Sequence, residues 1–121
     1  MAISSKTLSE IVGIVGSSHV LTEPEEMVCY SYDASRIQVC PACVAFPGSA
    51  REVSEILLLA NREGFSVHPR GAGSGMVGAS VPSVEGVVLV MTRFQRIIEI
   101  DPDEMIAVVQ PGVITGTLQR T

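Results

Sequence analysis

The first part of the chain carries apolar residues at the spacing of one helix face. They recur every three or four residues, which is the period of an amphipathic helix. These positions are Leu8, Ile11, Val12 and Val15. Thr7 and Glu10 have the T-x-x-E spacing of a capping box, and Gly16 follows as a stop signal. The pattern predicts a short first helix, followed to about residue 40 by a lead-in segment without a clear period.

A sharper pattern begins at residue 41. Residues 44–47 read as a short strand, and Ser49 and Glu52 stand where an N-cap and its capping-box partner belong. The helix that follows has a predicted apolar stripe of Val53, Ile56, Leu57 and Ala60. Gly64 stands where a left-handed C-cap residue is expected, and residues 65–69 read as the next strand. The connection is therefore predicted to be strand, helix, strand.

The last third of the chain predicts three more strands. Residues 87–91 form a continuous apolar run, typical of a strand covered on both faces. Residues 97–100 and 105–109 flank the turn sequence Asp-Pro-Asp-Glu, which indicates a hairpin. Residues 115–121 read as a helix that has barely begun, so we expect the chain to be part of a longer domain, with a frayed tail as the alternative.

Composition and charge narrow the class of protein. The 121 residues are 46% hydrophobic and 17% charged, which fits one globular domain with a modest core. A net charge of -5 with few aromatic residues argues against a nucleic-acid partner. No apolar run reaches the roughly 18 to 20 residues that cross a bilayer, so we expect a cytoplasmic protein. Three cysteines, an odd number, argue against a disulfide framework.

The segment with the clearest chemical pattern is Pro69-Arg70 followed by residues 71–78. Residues 71–78 are here called the glycine loop. It holds Gly71, Gly73, Gly75 and Gly78 directly after a predicted strand. Glycine at this density lets backbone N–H groups approach a ligand and form a concave site for phosphate or pyrophosphate. A flexible surface loop without a ligand is the structural alternative.

Two better-known phosphate motifs do not fit the glycine loop. A P-loop requires a lysine after its last glycine, and no lysine occurs beyond Lys6. Residues 73–78 match G-x-G-x-x-G, with Glu99 about 20 residues on, as in a dinucleotide fingerprint. That fingerprint requires a helix to begin inside the motif, whereas Pro82 and Gly86 interrupt here and a strand is predicted next. We therefore do not expect a Rossmann site.

Four motifs in order resemble a known flavoprotein family. They are residues 46–53 (FPGSAREV), 69–75 (PRGAGSG), 100–102 (IDP) and 109–113 (VQPGV). Together they resemble the vanillyl-alcohol oxidase and para-cresol methylhydroxylase flavoproteins, and among these the FAD-linked subunit of glycolate oxidase and its D-lactate dehydrogenase relatives. The resemblance extends from about residue 5 to the end of the chain.

The resemblance implies an α+β fold: the first α/β subdomain of a two-part FAD-binding domain, a small mixed sheet flanked by helices. Residues 1–40 would be a helical lead-in, and residues 41–121 the N-terminal part of the FAD-binding domain, truncated at its C-terminus. The resemblance also implies which residues bind FAD. They are Pro69, Arg70, Gly71, Ala72, Gly73, Ser74, Gly75 and Gly78 at the phosphates, Pro47 near the start of the cleft, and Pro111 and Gly112 near the flavin.

In these expectations the phosphate contacts are the backbone N–H groups of Arg70 through Gly75 and of Gly78, with the Ser74 hydroxyl as a further donor. Val77 and Ala79 depart from the family pattern, which usually has a small polar residue and a second glycine near the loop's end. The departure leaves the path of the second half of the loop open.

The resemblance further implies an oxidoreductase of a small 2-hydroxy acid such as glycolate or D-lactate. No catalytic residue is expected in this chain, because the base and the substrate-binding residues come from later segments; alone it should be inactive. Expected partners are the remaining FAD and cap domains and an iron–sulfur subunit, with self-association of the chain alone and peripheral attachment to the inner membrane face as further expectations. The alternative function is a non-catalytic phosphate- or nucleotide-binding or interaction module.

Other residues with chemical potential receive structural interpretations. Cys40 and Cys43 have C-x-x-C spacing, but too few further ligands stand at metal-site spacing, so no metal is expected. Two buried or half-buried thiols are favoured over a redox pair. His68 borders the glycine loop and is expected to satisfy a local hydrogen bond. Tyr30, Tyr32 and Asp33 resemble the family's lead-in and are expected to pack and cap.

Overall fold

The computed structural model describes residues 3–121. Its main sheet has the order β1-β2-β4-β3, in which β1 is antiparallel to β2 and the other pairings are parallel. The strands are β1 (Val20–Leu21), β2 (Cys43–Ala45), β3 (Val67–Arg70), β4 (Val87–Val90), β5 (Ile97–Asp101) and β6 (Ile106–Val109). Strands β5 and β6 form a separate antiparallel hairpin. The helices are α1 (Ser5–Val15), α2 (Pro24–Met27), α3 (Ala50–Glu63) and α4 (Thr115–Arg120). The predicted α+β fold with a small mixed sheet is confirmed.

The core lies on both faces of β4, which explains its uninterrupted apolar sequence. Val87 and Leu89 join one cluster with residues of α1 and α3, among them Ile11 and Ile56. Val88 and Val90 join a second cluster with Met27. Because successive strand residues point to opposite faces, a strand covered on both sides must be apolar at every position.

Helix α3 begins and ends as its sequence predicts. The Ser49 hydroxyl accepts a hydrogen bond from the Glu52 N–H at 3.2 Å. At the other end Gly64 adopts the left-handed conformation (φ 77°), and its N–H donates to the Ala60 carbonyl. The predicted apolar stripe is partly wrong, because Leu57 is exposed and Leu59 is buried with Ile56. The buried face of helix α3 is therefore formed by Ile56, Leu59 and Ala60.

The first helix begins earlier than its capping box predicts. Ser4, not Thr7, is the N-cap, and its hydroxyl accepts the Thr7 N–H at 3.1 Å. Gly16 ends the helix as predicted, with φ 92° and its N–H donating to the Val12 carbonyl. No helix of the described residues is long and apolar enough to span a membrane.

The β5–β6 hairpin exposes an apolar surface. Ile98, Ile100, Ile106 and Val108 are each at least 42% exposed. The strand register places Ile106 and Val108 on one face of the hairpin and Ile100 on the other, so apolar side chains are exposed on both faces. Exposed apolar side chains on both faces leave the hairpin open to further contacts.

Candidate anion-binding loop and cleft

The candidate site lies at the edge of the sheet where the parallel strands end. Strand β3 leads directly into the glycine loop, and β4 leads into Met91 and Thr92. The Met91 N–H donates to the Arg70 carbonyl at 2.8 Å, which holds the two strand ends side by side. In open sheets with parallel strands, ligands bind in the crevice outside these carboxyl ends.

The backbone of the glycine loop is shaped to receive an anion. Gly73 and Gly78 have positive φ angles of 71° and 80°, in the left-handed region that glycine adopts readily. Within residues 3–121, no backbone N–H of residues 71–77 donates a hydrogen bond to a protein acceptor. These N–H groups are available to a ligand, and successive backbone donors of this kind make the loop a candidate anion site.

Gly73 and Gly75 differ in the room that each leaves for a side chain. A β-carbon at Gly73 would collide with the guanidinium of Arg70, and the backbone there is also left-handed. A β-carbon at Gly75 would lie 3.9 Å from Oδ2 of Asp33, an ordinary contact. The loop's own fold therefore requires glycine at position 73, whereas an added β-carbon at position 75 would make only an ordinary contact.

A cleft of about 370 Å³ opens beside the first residues of the loop. It is lined by Gly71, Ala72, Thr92, Gln95, Pro111, Gly112, Val113, Ile114, Thr115 and Gly116. Gly112 joins its two walls, since its N–H donates to the Phe94 carbonyl at 2.7 Å. A β-carbon at Gly112 would collide with the carbonyl oxygens of Met91 and Phe94, so only glycine fits there.

The cleft brings together two of the predicted groups of site residues. Gly71 and Ala72 face Pro111 and Gly112 across it. The other predicted residues lie elsewhere around the loop: Pro47 is fully buried after β2, Pro69 is exposed in β3, and Gly73, Ser74, Gly75 and Gly78 follow along the loop.

Sequence reasoning missed Thr92, Gln95 and residues 113–116 as lining of the cleft. Gln95 is held in place because its Nε2 donates to the Thr92 carbonyl at 2.7 Å. A pattern that would have found Thr92 was present, since it follows the predicted buried strand at its carboxyl end. Val113 ends the VQPGV motif but was not assigned to the site, and residues 114–116 carry no such pattern, so only the fold places them there.

The Arg70 side chain is turned beneath the loop and is only 7% exposed. Its Nη1 donates to the Tyr32 carbonyl at 2.7 Å, and its Nη2 donates to the Cys29 carbonyl at 3.1 Å. The guanidinium carbon lies 5.8 Å from the centre of the Tyr30 ring. The positive charge of the Arg70 guanidinium is therefore compensated by two backbone carbonyls and an aromatic ring of the lead-in segment.

Asp33 lies near Arg70 beneath the glycine loop and is 5% exposed. Its Oδ1 accepts the Ser35 N–H at 2.8 Å, as an aspartate does at the start of a turn. Hydrogen bonds from Ser35 lower the pKa of this carboxyl; burial opposes them, and the Gly78 N–H and the Arg70 charge add to the lowering. Oδ2 has no hydrogen-bond partner at ordinary bonding distance among the described residues.

The remaining chemical candidates lie outside the cleft lining. Cys43 is buried in β2, and burial raises the pKa of its thiol to about 12, whereas Cys40 is exposed. Residues 3–121 contain no cluster of three or more potential metal ligands. His68 Nε2 accepts the Ser83 N–H at 3.1 Å, as expected for a histidine that satisfies a local hydrogen bond.

Comparison with known proteins identifies relatives of this arrangement. The family described as FAD binding domain matches residues 41–121. Glycolate oxidase subunit GlcD of Bacillus subtilis is 32% identical over 119 residues, which are 98% of this chain and 25% of that protein. D-lactate dehydrogenase of Archaeoglobus fulgidus is 35% identical over 89 residues, 69% of this chain and 20% of that protein. The chain thus spans about a quarter or less of the length of these relatives.

A solved structure supports the fold independently. A crystal structure of p-cresol methylhydroxylase with substrate bound superimposes with a TM-score of 0.83. The match covers 95% of this chain and 23% of the other, at 22% sequence identity. Identity at this level shows a shared fold and nothing more specific.

Proposed function

Because the chain belongs to the FAD binding domain family, we propose that it is the FAD-binding part of an oxidoreductase acting on a small 2-hydroxy acid such as glycolate or D-lactate. The family resemblance derived from the four sequence motifs is confirmed, and FAD is the cofactor it indicates. The observation that carries the proposal is the row of N–H groups at residues 71–77 without protein partners among the described residues, at the carboxyl end of a parallel strand.

The residues present fit FAD. A diphosphate needs several hydrogen-bond donors within a short length of chain, and the backbone of residues 71–77 offers them. The adjoining cleft is lined mainly by glycine, proline and aliphatic groups, with Thr92, Gln95 and Thr115 as polar exceptions. Such a surface suits the flat, largely apolar ring system of a flavin, with the polar side chains able to bind its edges or the ribityl hydroxyls.

The chain's own contribution is to bind and orient. When bound, FAD supplies the hydride-accepting chemistry. None of the residues lining the cleft has a side chain that titrates near neutral pH. The group that takes a proton from the substrate is therefore proposed to come from protein outside residues 3–121, and we assign no catalytic residue to this chain.

The substrate class rests on relatives rather than on the cleft. The names of the relatives include glycolate oxidase subunit and D-lactate dehydrogenase, whose named substrates share a carboxylate with a neighbouring hydroxyl. We propose the same class for the complete protein, with further FAD and cap domains and an iron–sulfur subunit as partners, in the cytoplasm or at the inner membrane face. The exposed apolar hairpin supports further contacts with protein.

The experiment that tests this proposal is anaerobic reduction of the flavin in the complete protein. Purified protein should show the visible absorbance of a flavin, and addition of glycolate or D-lactate should bleach it. L-lactate serves as the stereochemical control, and a simple primary alcohol as the control for the carboxylate. Bound flavin that no 2-hydroxy acid reduces would refute the substrate class, and protein without flavin after FAD is supplied would refute the whole proposal.

A further inference from the structure

We propose that residues 29–35, here called the brace, hold the glycine loop in its anion-binding shape, and that Arg70 and Asp33 are the positioning residues through which they do so. On this proposal the Arg70 side chain acts on the FAD phosphates through the loop backbone and does not touch them. The role in FAD binding rests on the function proposed above; the role in shaping the free loop does not.

The Arg70 guanidinium is directed at the brace, and Arg70 is not among the residues that line the cleft. An arginine beside a phosphate loop is expected to point at the phosphate, because its planar fork matches phosphate oxygens. Here both terminal nitrogens of Arg70 are instead occupied by carbonyls of the brace, those of Tyr32 and Cys29. The side chain is 7% exposed, so it has little surface left for a ligand.

The glycine loop is in turn fitted to this guanidinium. Gly73 lies so close to it that a β-carbon would overlap Nη2, Cζ and Nε of Arg70. Gly73, which has the left-handed conformation, thus packs against Arg70, and Arg70 is hydrogen-bonded to the brace. The Tyr30 ring, which packs edge-on against Phe46 at 5.5 Å, supports the guanidinium from the same segment.

A second attachment joins the brace to the loop at Gly75. The Ala34 N–H in the brace donates to the Gly75 carbonyl at 3.0 Å. Next to it, the buried Oδ2 of Asp33 faces Gly75, and the carboxylate interacts with both the Gly78 N–H and the Arg70 charge. The brace therefore contacts the loop directly at Gly75 and Gly78, and at Gly73 it acts through the Arg70 side chain.

The energetic consequence concerns the order of the loop before the ligand arrives. Ordering one backbone residue costs roughly 1 to 2 kcal/mol, and a loop that is already ordered does not incur this cost on binding. Lysine cannot replace Arg70 in this role, because a single ammonium does not present two donors in a fixed plane to two carbonyls. The Asp33 carboxylate accepts a hydrogen bond from the Ser35 N–H, interacts with the Gly78 N–H and lies near the Arg70 charge, and a neutral asparagine would weaken these interactions.

The test measures the free loop and the bound loop separately. Backbone ¹⁵N relaxation of the 121-residue chain without FAD reports order at Gly71, Gly73, Gly75 and Gly78. We expect order parameters near 0.85 in the original chain and below about 0.6 in Arg70→Lys and in Asp33→Asn. Arg51→Lys is the matched control, since Arg51 is exposed on α3 and pairs only with Glu55 among the described residues.

FAD titration of the same variants completes the experiment. We expect Arg70→Lys and Asp33→Asn each to raise the FAD Kd by about tenfold or more, and Arg51→Lys to leave it unchanged. Unchanged order of the free loop in both variants would overturn the proposal, whatever happens to the Kd. If the original chain binds no FAD, the proposed function fails in this chain, while the relaxation data still decide whether the brace orders the loop.

Discussion

Replacing Gly112 with alanine should destabilise the chain although it adds only one methyl group. The added carbon would overlap the Met91 and Phe94 carbonyl oxygens and lie 3.1 Å from the Thr92 Cα. All three are backbone atoms, so no side-chain rotation relieves the collision. Overpacking of this kind typically costs about 1 to 3 kcal/mol. The backbone must move apart to relieve it, which weakens the Gly112 N–H bond to Phe94 and costs roughly 1 kcal/mol more.

The matched control is Gly13→Ala in helix α1. Apart from the chain neighbours of Gly13 and the backbone of its own helix, no atom lies within 4 Å of the position that its β-carbon would take, and the residue is exposed. Alanine in a helix interior is favoured over glycine by roughly 0.5 to 1 kcal/mol, so this variant should be more stable than the original chain. The two variants add the same methyl group with opposite expected signs.

Urea unfolding followed by circular dichroism measures both changes. We expect the free energy of unfolding to fall by about 2 to 4 kcal/mol for Gly112→Ala and to rise slightly for Gly13→Ala, with similar m-values. Because Gly112 joins the walls of the cleft, FAD affinity should also fall in the first variant. A Gly112→Ala chain within about 0.5 kcal/mol of the original would refute the close backbone packing on which the cleft geometry depends.

Two further predictions concern the core. Leu89→Ala removes a buried side chain on the central strand and should lower the free energy of unfolding by about 2 to 5 kcal/mol in the same urea assay. Leu58→Ala, at a position 66% exposed, should change it by less than about 0.5 kcal/mol. Equal effects of the two substitutions would contradict the assignment of the core. Burial raises the pKa of the Cys43 thiol to about 12 from an ordinary value of 9.0, so the folded state keeps a proton that the unfolded state loses. The contribution of Cys43 is fully present below pH 9 and is lost as the pH rises from there toward 12. Cys43→Ala should flatten this part of the stability profile, whereas Cys40→Ala should not; equal slopes in all three chains would show that the thiol is not buried.

The sequence predicted those parts of the fold that depend on local rules. The cap at Ser49, the left-handed Gly64, the continuous apolar strand and the hairpin around an Asp-Pro turn each follow from a few neighbouring residues. Strand β1 was not predicted, because two residues carry no period and they pair only where β2 offers an edge. The burial of Leu59 in place of Leu57 was set by how α3 lies on the sheet, which a helical period alone does not determine.

The candidate site also has one part that the sequence predicted and another that only the fold determines. The glycine loop was recognisable because its glycines are closely spaced, and family motifs assigned both this loop and Pro111 to the cofactor site. That Gly71 and Pro111 line the same cleft follows only from the fold. The contact of Arg70 with the lead-in segment joins residues about 40 positions apart through backbone carbonyls. Carbonyls are present at every residue, so no sequence pattern marks which of them an arginine will use.

Binding of the FAD phosphates by residues 71–78 can be decided by FAD titration of the purified chain, followed by flavin fluorescence, beside a variant with Gly73→Val and Gly75→Val. Circular dichroism first confirms that both chains are folded, and Gly13→Ala serves as the unaffected control. We predict saturable binding by the original chain and the control, and none by the double variant. Equal affinity of the double variant for FAD would contradict the assignment of residues 71–78 as the phosphate site.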